Sequence, residues 1–315
     1  MNIYLGMIII TDNTSEAGNV FPAIINLQSK NITQRLPKDD LEKKLFINEE
    51  LYEIDYRQNN SFDFLYLAKH SQNSQFDVLH KIINSNSKIP NKMACLAITG
   101  EKFHGFRNRA WTAEKGNIHL TIHFKPKQTF ENLHVGLLVL AAVSILETID
   151  TIPDLRGGAK TKWVNDIVID NKKVAGIITQ SFSQGNKVTG ALIGIGLNVE
   201  VIPLINKDIF TPEASCLKHF SNSENCNLKK VFTQLLARLS ANIDLLNSAD
   251  YYSLLNKYKK RSAVIGKNAE VYSDPIEGIP SLIIKGKVKD INERLELIFE
   301  NSEEKINKGR LSLIE

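Results

Sequence analysis

Cysteine is scarce in this chain: 315 residues include three, Cys95, Cys216 and Cys226, with no C-x-x-C spacing. That excludes a disulfide framework and a thiolate zinc cluster, and it fits a reducing, cytoplasmic compartment. Long apolar runs are missing as well. The most hydrophobic stretch, Val135 to Leu146, is about half the ~20 residues that span a bilayer, so it predicts a core helix and no membrane partner. The opening MNIYLGMIIITDN has no basic region ahead of its apolar residues, which predicts a strand rather than a secretory leader. An excess of one charge is absent too. The 39 basic and 35 acidic residues leave a net +4, too little for a broad nucleic-acid footprint, so no nucleic acid is expected as a partner. There is no G-x-S-x-G and no paired-carboxylate motif, and no third glycine opens a helix after Gly194 and Gly196. A covalent hydrolase and a dinucleotide fold therefore have little support. His119 and His123 share one face of an alternating segment without a third ligand, so no metal site is expected.

What remains is the composition of an ordinary globular protein, 43% hydrophobic and 23% charged, long enough for one sizeable core and a smaller unit. Tyr4 to Thr11 suggests a strand, and Lys38 to Tyr52 is loosely helical. Phe76, Leu79, His80 and Ile83 recur at helical spacing. Met93 to Thr99 predicts a buried strand and Asn117 to Phe124 an alternating one. A helix from about Phe130 to Ile149 follows, capped by Thr129. Strands near Lys162–Ile169, Val174–Phe182 and Val188–Val201 are separated by Asp170-Asn171-Lys172 and by Gly185-Asn186. Asn227 precedes a long amphipathic helix, and a second helix covers Tyr251 to Lys260. Beyond Ser262 only short strands remain, Ala269–Tyr272, Leu282–Ile291, Leu295–Phe299 and Leu311–Ile314, a pattern suggesting a small closed or partly closed β-barrel. The class is α+β, a mixed and largely antiparallel sheet flanked by helices. The division is an N-terminal extension (1–67), a main domain (68–262) and a small C-terminal domain (263–315).

Three segments could carry chemistry. In KWVNDIVIDNKKVAGI, Lys162 and Asp166 fall inside the strand pattern of a hairpin, where an ionised group needs compensation. A strand-end lysine can neutralise developing negative charge, but it can equally point into water, and Lys173 after the turn has the same two readings. The loop Gly100–Trp111 gathers Lys102, His104, Arg107 and Arg109 around Gly105, either as an anion cradle or as a solvated basic loop. In GIGLNV, Gly194 and Gly196 mark close approach of a ligand or backbone, and Asn198 offers a donor and an acceptor.

Taken in this order, the segments resemble the biotin protein ligase family, of the biotin/lipoate protein ligase superfamily. Lys162-Trp163-Val164-Asn165-Asp166 is similar to its KWPND signature with valine for proline, and Lys173 to Ile177 to the K-x-A/G-G-I that follows. Gly194 to Val199 resembles the GIGxNV strand, and Ser215-Cys216-Leu217 its Ser/Thr-x-Leu segment. Gly105 to Trp111 falls at the glycine- and arginine-rich loop, with Gly116-Asn117-Ile118 after it, and Ser74-Gln75-Phe76-Asp77 at the Ser-Thr-Asn helix start. The loop departs from the family's GRGRxG at Phe103, His104, Phe106 and Asn108, and Gln75 stands where threonine is usual.

The resemblance implies a class II synthetase-like catalytic domain followed by an SH3-like domain. It also implies ATP and Mg²⁺ as cofactors, biotin as substrate, and a biotin carboxyl carrier protein or the carrier domain of a biotin-dependent carboxylase as partner, with a homodimer left open. By position it assigns catalytic roles to Lys162, Arg107 and Arg109. It assigns biotin contacts to Ser74, Gln75, Gly105, Trp111, Lys162 and Gly176, and nucleotide contacts to Arg109, Trp111, Asn165, Lys173, Gly194, Gly196 and Asn198. The implied reaction is formation of biotinyl-5′-AMP and transfer of biotin to a carrier lysine. Lipoate or octanoate transfer on the same scaffold, and a degenerate biotin- or nucleotide-binding relative without catalysis, are the alternatives.

Overall fold

The computed structural model describes residues 6–24, 31–56, 62–85, 87–127, 133–185, 187–204, 213–275 and 279–314. Its main element is a ten-stranded sheet. In chain order the strands are β1 (Met7–Thr11), β2 (Ile32–Arg35), β3 (Leu51–Tyr56), β4 (Phe64–Ser71), β5 (Met93–Gly100), β6 (Ile118–Phe124), β7 (Lys160–Lys162), β8 (Asp166–Ile169), β9 (Lys172–Gln184) and β10 (Lys187–Leu197). Across the sheet they run β2-β3-β1-β4-β5-β6-β10-β9-β8-β7. Pairs β1–β4 and β4–β5 are parallel and the other neighbours antiparallel, as the expected class requires.

The helices are α1 (Thr14–Val20), α2 (Asp40–Leu45), α3 (Gln75–Asn84), α4 (Leu133–Ile149), α5 (Leu217–Phe220), α6 (Leu228–Asn247) and α7 (Tyr251–Lys260). Strand β6 shows how sequence assigns the two faces. Ile118, Leu120, Ile122 and Phe124 join the core beneath α1, α4, α6 and α7, so alternation sends His119, Thr121 and His123 to the face that α2 and α3 cover. Helix α4 is apolar almost all round and buried on nearly every side, because it lies between the sheet and the pair α6 and α7. One polar contact in that layer is satisfied: Asn242 Nδ2 donates to Ser144 Oγ at 2.9 Å. Helix α6 starts where Asn227 Oδ1 accepts from the Lys230 N–H at 3.0 Å and buries Val231, Phe232, Leu235, Leu236, Leu239 and Ile243. Truncating one of these, Leu235→Ala, should cost about 2–5 kcal/mol.

Several expectations change. The first 67 residues add β1, β3 and β2 to the edge of the sheet through the parallel β1–β4 pairing. Within Lys38–Tyr52 only α2 is helical, and β3 begins at Leu51. The strand expected over Lys162–Ile169 is broken: β7 ends at Lys162, β8 begins at Asp166, and these two residues face each other across the hairpin. The Thr129 cap, the helix start at Phe130, the first residues of the Tyr4 strand and Asn186 lie outside the described residues. The C-terminal strands β11 (Asn268–Tyr272), β12 (Leu282–Ile291), β13 (Leu297–Phe299), β14 (Lys305–Ile306) and β15 (Arg310–Leu313) form a five-stranded sheet, ordered β14-β13-β12-β11-β15. Among the described residues β14 and β15 do not pair, so this unit is a small sheet and not a demonstrated closed barrel.

Candidate functional site

A cleft of about 460 Å³ opens on the α3 face, where β6, β9 and β10 meet the Gly100–Trp111 loop. The loop is itself a small hairpin. His104 bridges Ala110, Gly105 N donates to Arg109 O at 2.7 Å, and Trp111 N donates to Phe103 O at 2.9 Å. Its tip turns through left-handed conformations at Arg107 (φ 54°) and Asn108 (φ 59°). Three ion pairs hold it down. His104 Nε2 lies 2.8 Å from Asp77 Oδ2 on α3, and Arg107 and Arg109 both reach Asp274 just after β11, at 3.3 and 3.0 Å. Arg107 Nη1 also donates to the Asp274 carbonyl.

The role of the strand glycines is now concrete. A Cβ on Gly196 would sit 2.2 Å from Cζ2 of Trp111, and one on Gly176 would meet the same ring at 3.4 Å. Their missing side chains therefore make room for an indole, while a Cβ on Gly194 would strike Ile178 at 2.7 Å. Trp111 is fixed at its other end as well. Its Nε1–H donates to His119 Nδ1 at 3.2 Å, and His119 Nε2 donates to Glu114 O at 3.0 Å. Burial pushes the His119 pKa down to about 4, so the ring stays neutral and Nδ1 remains an acceptor near neutral pH. Sequence alone assigns His119 no metal role and no part in the site. The only signal available was its position eight residues after Trp111.

The Lys162 segment forms the far wall. Behind the turn, Trp163 Nε1 donates to Leu295 O at 2.7 Å and Tyr258 Oη to Val164 O at 2.8 Å. In front, Asn165 exchanges two hydrogen bonds with Ile177 at 3.0 and 2.9 Å, and Asp166 Oδ1 meets Lys173 Nζ at 2.7 Å. Lys173 Nζ also stands 5.8 Å from the Trp111 ring centroid, within cation–π range. Burial lowers the Lys162 pKa; Asp166 opposes the shift, and Lys173, Arg310 and Arg109 add to it. An anion arriving here would relieve that repulsion.

Ten of the expected residues line the cleft: Ser74, Gly105, Arg109, Trp111, Asn165, Lys173, Gly176, Gly194, Gly196 and Asn198. Three do not. Lys162 stands beside it, coupled through Asp166 and Lys173. Arg107 is drawn toward Asp274, and Gln75 lines a separate cleft on the other side of the α3 start. Phe76, Phe103 and His119 line the site without having been anticipated. Asn198 Nδ2 donates to Ser215 O at 2.9 Å, while its Oδ1 is buried with no hydrogen-bond partner. Such an acceptor costs about 1–3 kcal/mol unless a ligand supplies a donor. Asn117, also unanticipated, anchors the end of this strand by accepting from Val199 N at 2.9 Å. Among the described residues no group of three or more His, Cys, Asp or Glu could hold a metal ion. No helix there is long and apolar enough to cross a membrane.

Comparison with known proteins agrees with this geometry. Residues 70–198 match the model of the Biotin/lipoate A/B protein ligase family, the span from β4 to Asn198. The bifunctional ligase/repressor BirA of Bacillus spizizenii is 30% identical over 121 residues, 38% of this chain and 36% of that protein. The biotin--[acetyl-CoA-carboxylase] ligase of Paracoccus denitrificans is 29% identical over 99 residues, 31% of this chain and 41% of that protein. The chain thus spans well under half the length of these curated relatives. The structure of biotin protein ligase from Aquifex aeolicus in complex with biotin and ATP superposes with a TM-score of 0.59 at 23% identity, covering 80% of this chain and 99% of that one. Residues 70–198, which hold the cleft and its three converging motifs, are thus similar to the biotin/lipoate A/B protein ligase family.

Proposed function

We propose that this protein is an ATP-dependent biotin protein ligase. The carrying observation is the convergence of the Lys162–Ile177 segment, the Gly100–Trp111 loop and the GIGLNV strand on one cleft rich in cations, within the region that matches the family. In the first step the biotin carboxylate attacks the α-phosphorus of ATP. The α–β P–O bond breaks, and pyrophosphate leaves biotinyl-5′-adenylate. In the second, the ε-amine of a lysine on a biotin carboxyl carrier domain attacks the acyl carbon, expelling AMP and losing a proton.

Both partners of the first step are anions, so its barrier is largely electrostatic. Lys162, Lys173 and Arg109 are the cations available. Lys162 gains most from an incoming phosphate because burial and its cationic neighbours disfavour its charge. Arg107 and Arg109 would exchange the Asp274 carboxylate for ligand phosphates, drawing the loop over the cleft. Trp111 and Phe103 then shield the adenylate from water, and the orphan Oδ1 of Asn198 accepts from the nucleotide. No enzyme nucleophile is required, and none of the three cysteines lines the cleft. Asp166, the carboxylate in the cleft lining, is engaged by Lys173, so the expected Mg²⁺ would be held mainly by the ATP phosphates.

A second reading, a binder without catalysis, draws on Lys162 standing outside the cleft lining and on the loop arginines being held by Asp274. Exchange of radiolabelled pyrophosphate into ATP separates the possibilities. Biotin-dependent exchange supports the ligase, exchange with lipoate or octanoate alone supports the related transfer, and biotin binding without exchange supports the second reading.

A further inference from the structure

We infer that His119 is a positioning residue of the cleft, acting through Trp111: it pins the indole against the floor at Gly196 and Gly176, so that ATP meets a wall already in place. The inference rests on the ligase reading for its ligand and on geometry alone for the pinning.

His119 stands on β6, whose alternation turns it to the cleft face, and it is 2% exposed. The donor and acceptor order around its ring has one solution. The Glu114 carbonyl can only accept, and it does so from Asn117 N at 3.2 Å and from His119 Nε2 at 3.0 Å. Nε2 therefore carries the proton, and Nδ1 is left as a bare acceptor. The indole Nε1–H can only donate, and it reaches Nδ1 at 3.2 Å. The chain from Trp111 through His119 thus ends on a backbone carbonyl that is itself fixed by the Glu114–Asn117 bond. Phe103, from the same loop as Trp111, meets the imidazole edge-on at 5.9 Å and 68°.

Both ring nitrogens are spent on the protein, so His119 has no polar atom to offer a substrate. Burial keeps the ring neutral, and with neither nitrogen free it cannot exchange a proton with the ligand. What it can do is select the orientation of the indole. Gly196 and Gly176 give that ring room without a side chain of their own to set its rotation; the hydrogen bond to Nδ1 sets it. If only a fraction of the molecules holds the right orientation, apparent affinity falls by that fraction.

The test follows the ring, the indole and the kinetics in the full-length protein. In the ¹⁵N-labelled wild type near neutral pH, His119 should show the Nε2–H tautomer. His119→Phe keeps a ring but no acceptor, and should speed solvent exchange of the Trp111 indole proton about tenfold. His119→Asn, whose Oδ1 can accept near the place of Nδ1, should restore most of that protection. In biotin-dependent exchange of pyrophosphate into ATP, His119→Phe should raise the KM for ATP about three- to tenfold, the worth of one neutral hydrogen bond, with kcat within about twofold; His119→Asn should recover most of it. A role confined to folding would lower kcat through fewer active molecules and leave KM unchanged. Combined with Trp111→Phe, which removes the indole donor, His119→Phe should add less than about twofold. The proposal is overturned by an Nδ1–H tautomer in the wild type, by indole exchange that His119→Phe leaves unchanged, by a fall in kcat alone, or by effects of the two substitutions that multiply. A wild type without biotin-dependent exchange defeats the ligase reading instead, and the tautomer and the indole proton then decide the pinning by the same criteria.

Discussion

Replacing Gly196 by alanine tests the packing that shapes the candidate site. The new Cβ would lie 2.2, 2.3 and 2.8 Å from three atoms of the Trp111 indole, against ordinary contacts that begin near 3.4 Å. The ring or the strand must therefore yield by roughly 1 Å in a region packed at crystal-like density. Gly196 lies in β10, between β6 and β9, so the indole moves first. Moving it sacrifices the Nε1–His119 hydrogen bond at 3.2 Å, worth about 0.5–1.5 kcal/mol, and the Lys173 cation–π contact, worth about 0.5–1 kcal/mol. With the strain of overpacking, the total is about 2–3 kcal/mol. Urea unfolding should show that loss in Gly196→Ala at constant m. In a Trp111→Ala background the same change should cost under about 0.5 kcal/mol, because the obstructing ring is gone. A single variant as stable as wild type, or an equal cost in both backgrounds, would refute the assignment of Gly196 to the indole.

Three further outcomes follow from the loop and its supports. His104 is partly buried, which opposes its charge, but its bonds to Asp77 and to the Gly105 carbonyl outweigh this and raise its pKa above the ordinary 6.5. The contact is therefore fully present below pH 6.5 and is lost as pH rises through the raised value; hydrogen exchange at residues 104–110 should accelerate across that window in wild type and be fast throughout in Asp77→Asn. Asp274→Asn should speed tryptic cleavage after Arg107 and Arg109 several-fold, yet change global stability by only about 1 kcal/mol, since the arginine ends of these pairs are 38% and 47% exposed. Trp163→Ala removes a buried indole and its 2.7 Å bond to Leu295. It should cost about 3–5 kcal/mol by thermal unfolding, beginning at the C-terminal sheet.

Legibility in the sequence followed the range of the interactions. Helices α6 and α7 and strand β12 have the ends that their spacing and turn residues predict, because caps such as Asn227 and the 3.6-residue period are local signals. The motif residues of the cleft were legible through resemblance, and ten of them line it. What stayed hidden depends on partners remote in the chain. Asp274 holds arginines more than 160 residues away, the extension joins the sheet through a β1–β4 ladder that its own composition does not encode, and Gly196 of β10 and Gly176 of β9 make room for an indole on another element. The opening of the strand at Trp163 was missed because its cause is tertiary: Trp163 and Val164 are bonded to Leu295 and Tyr258. Lys162 and Asp166 are thus not neighbours along one strand but partners across a turn.

The most direct measurement is ATP-dependent labelling of a carrier domain by the purified protein with biotin. The account predicts biotin on the acceptor lysine with the wild-type chain, and none with Lys162→Ala, a variant whose fold is checked by its unfolding curve. A wild-type protein that leaves the carrier unlabelled, or a Lys162→Ala variant that labels it at the wild-type rate, contradicts the central claim.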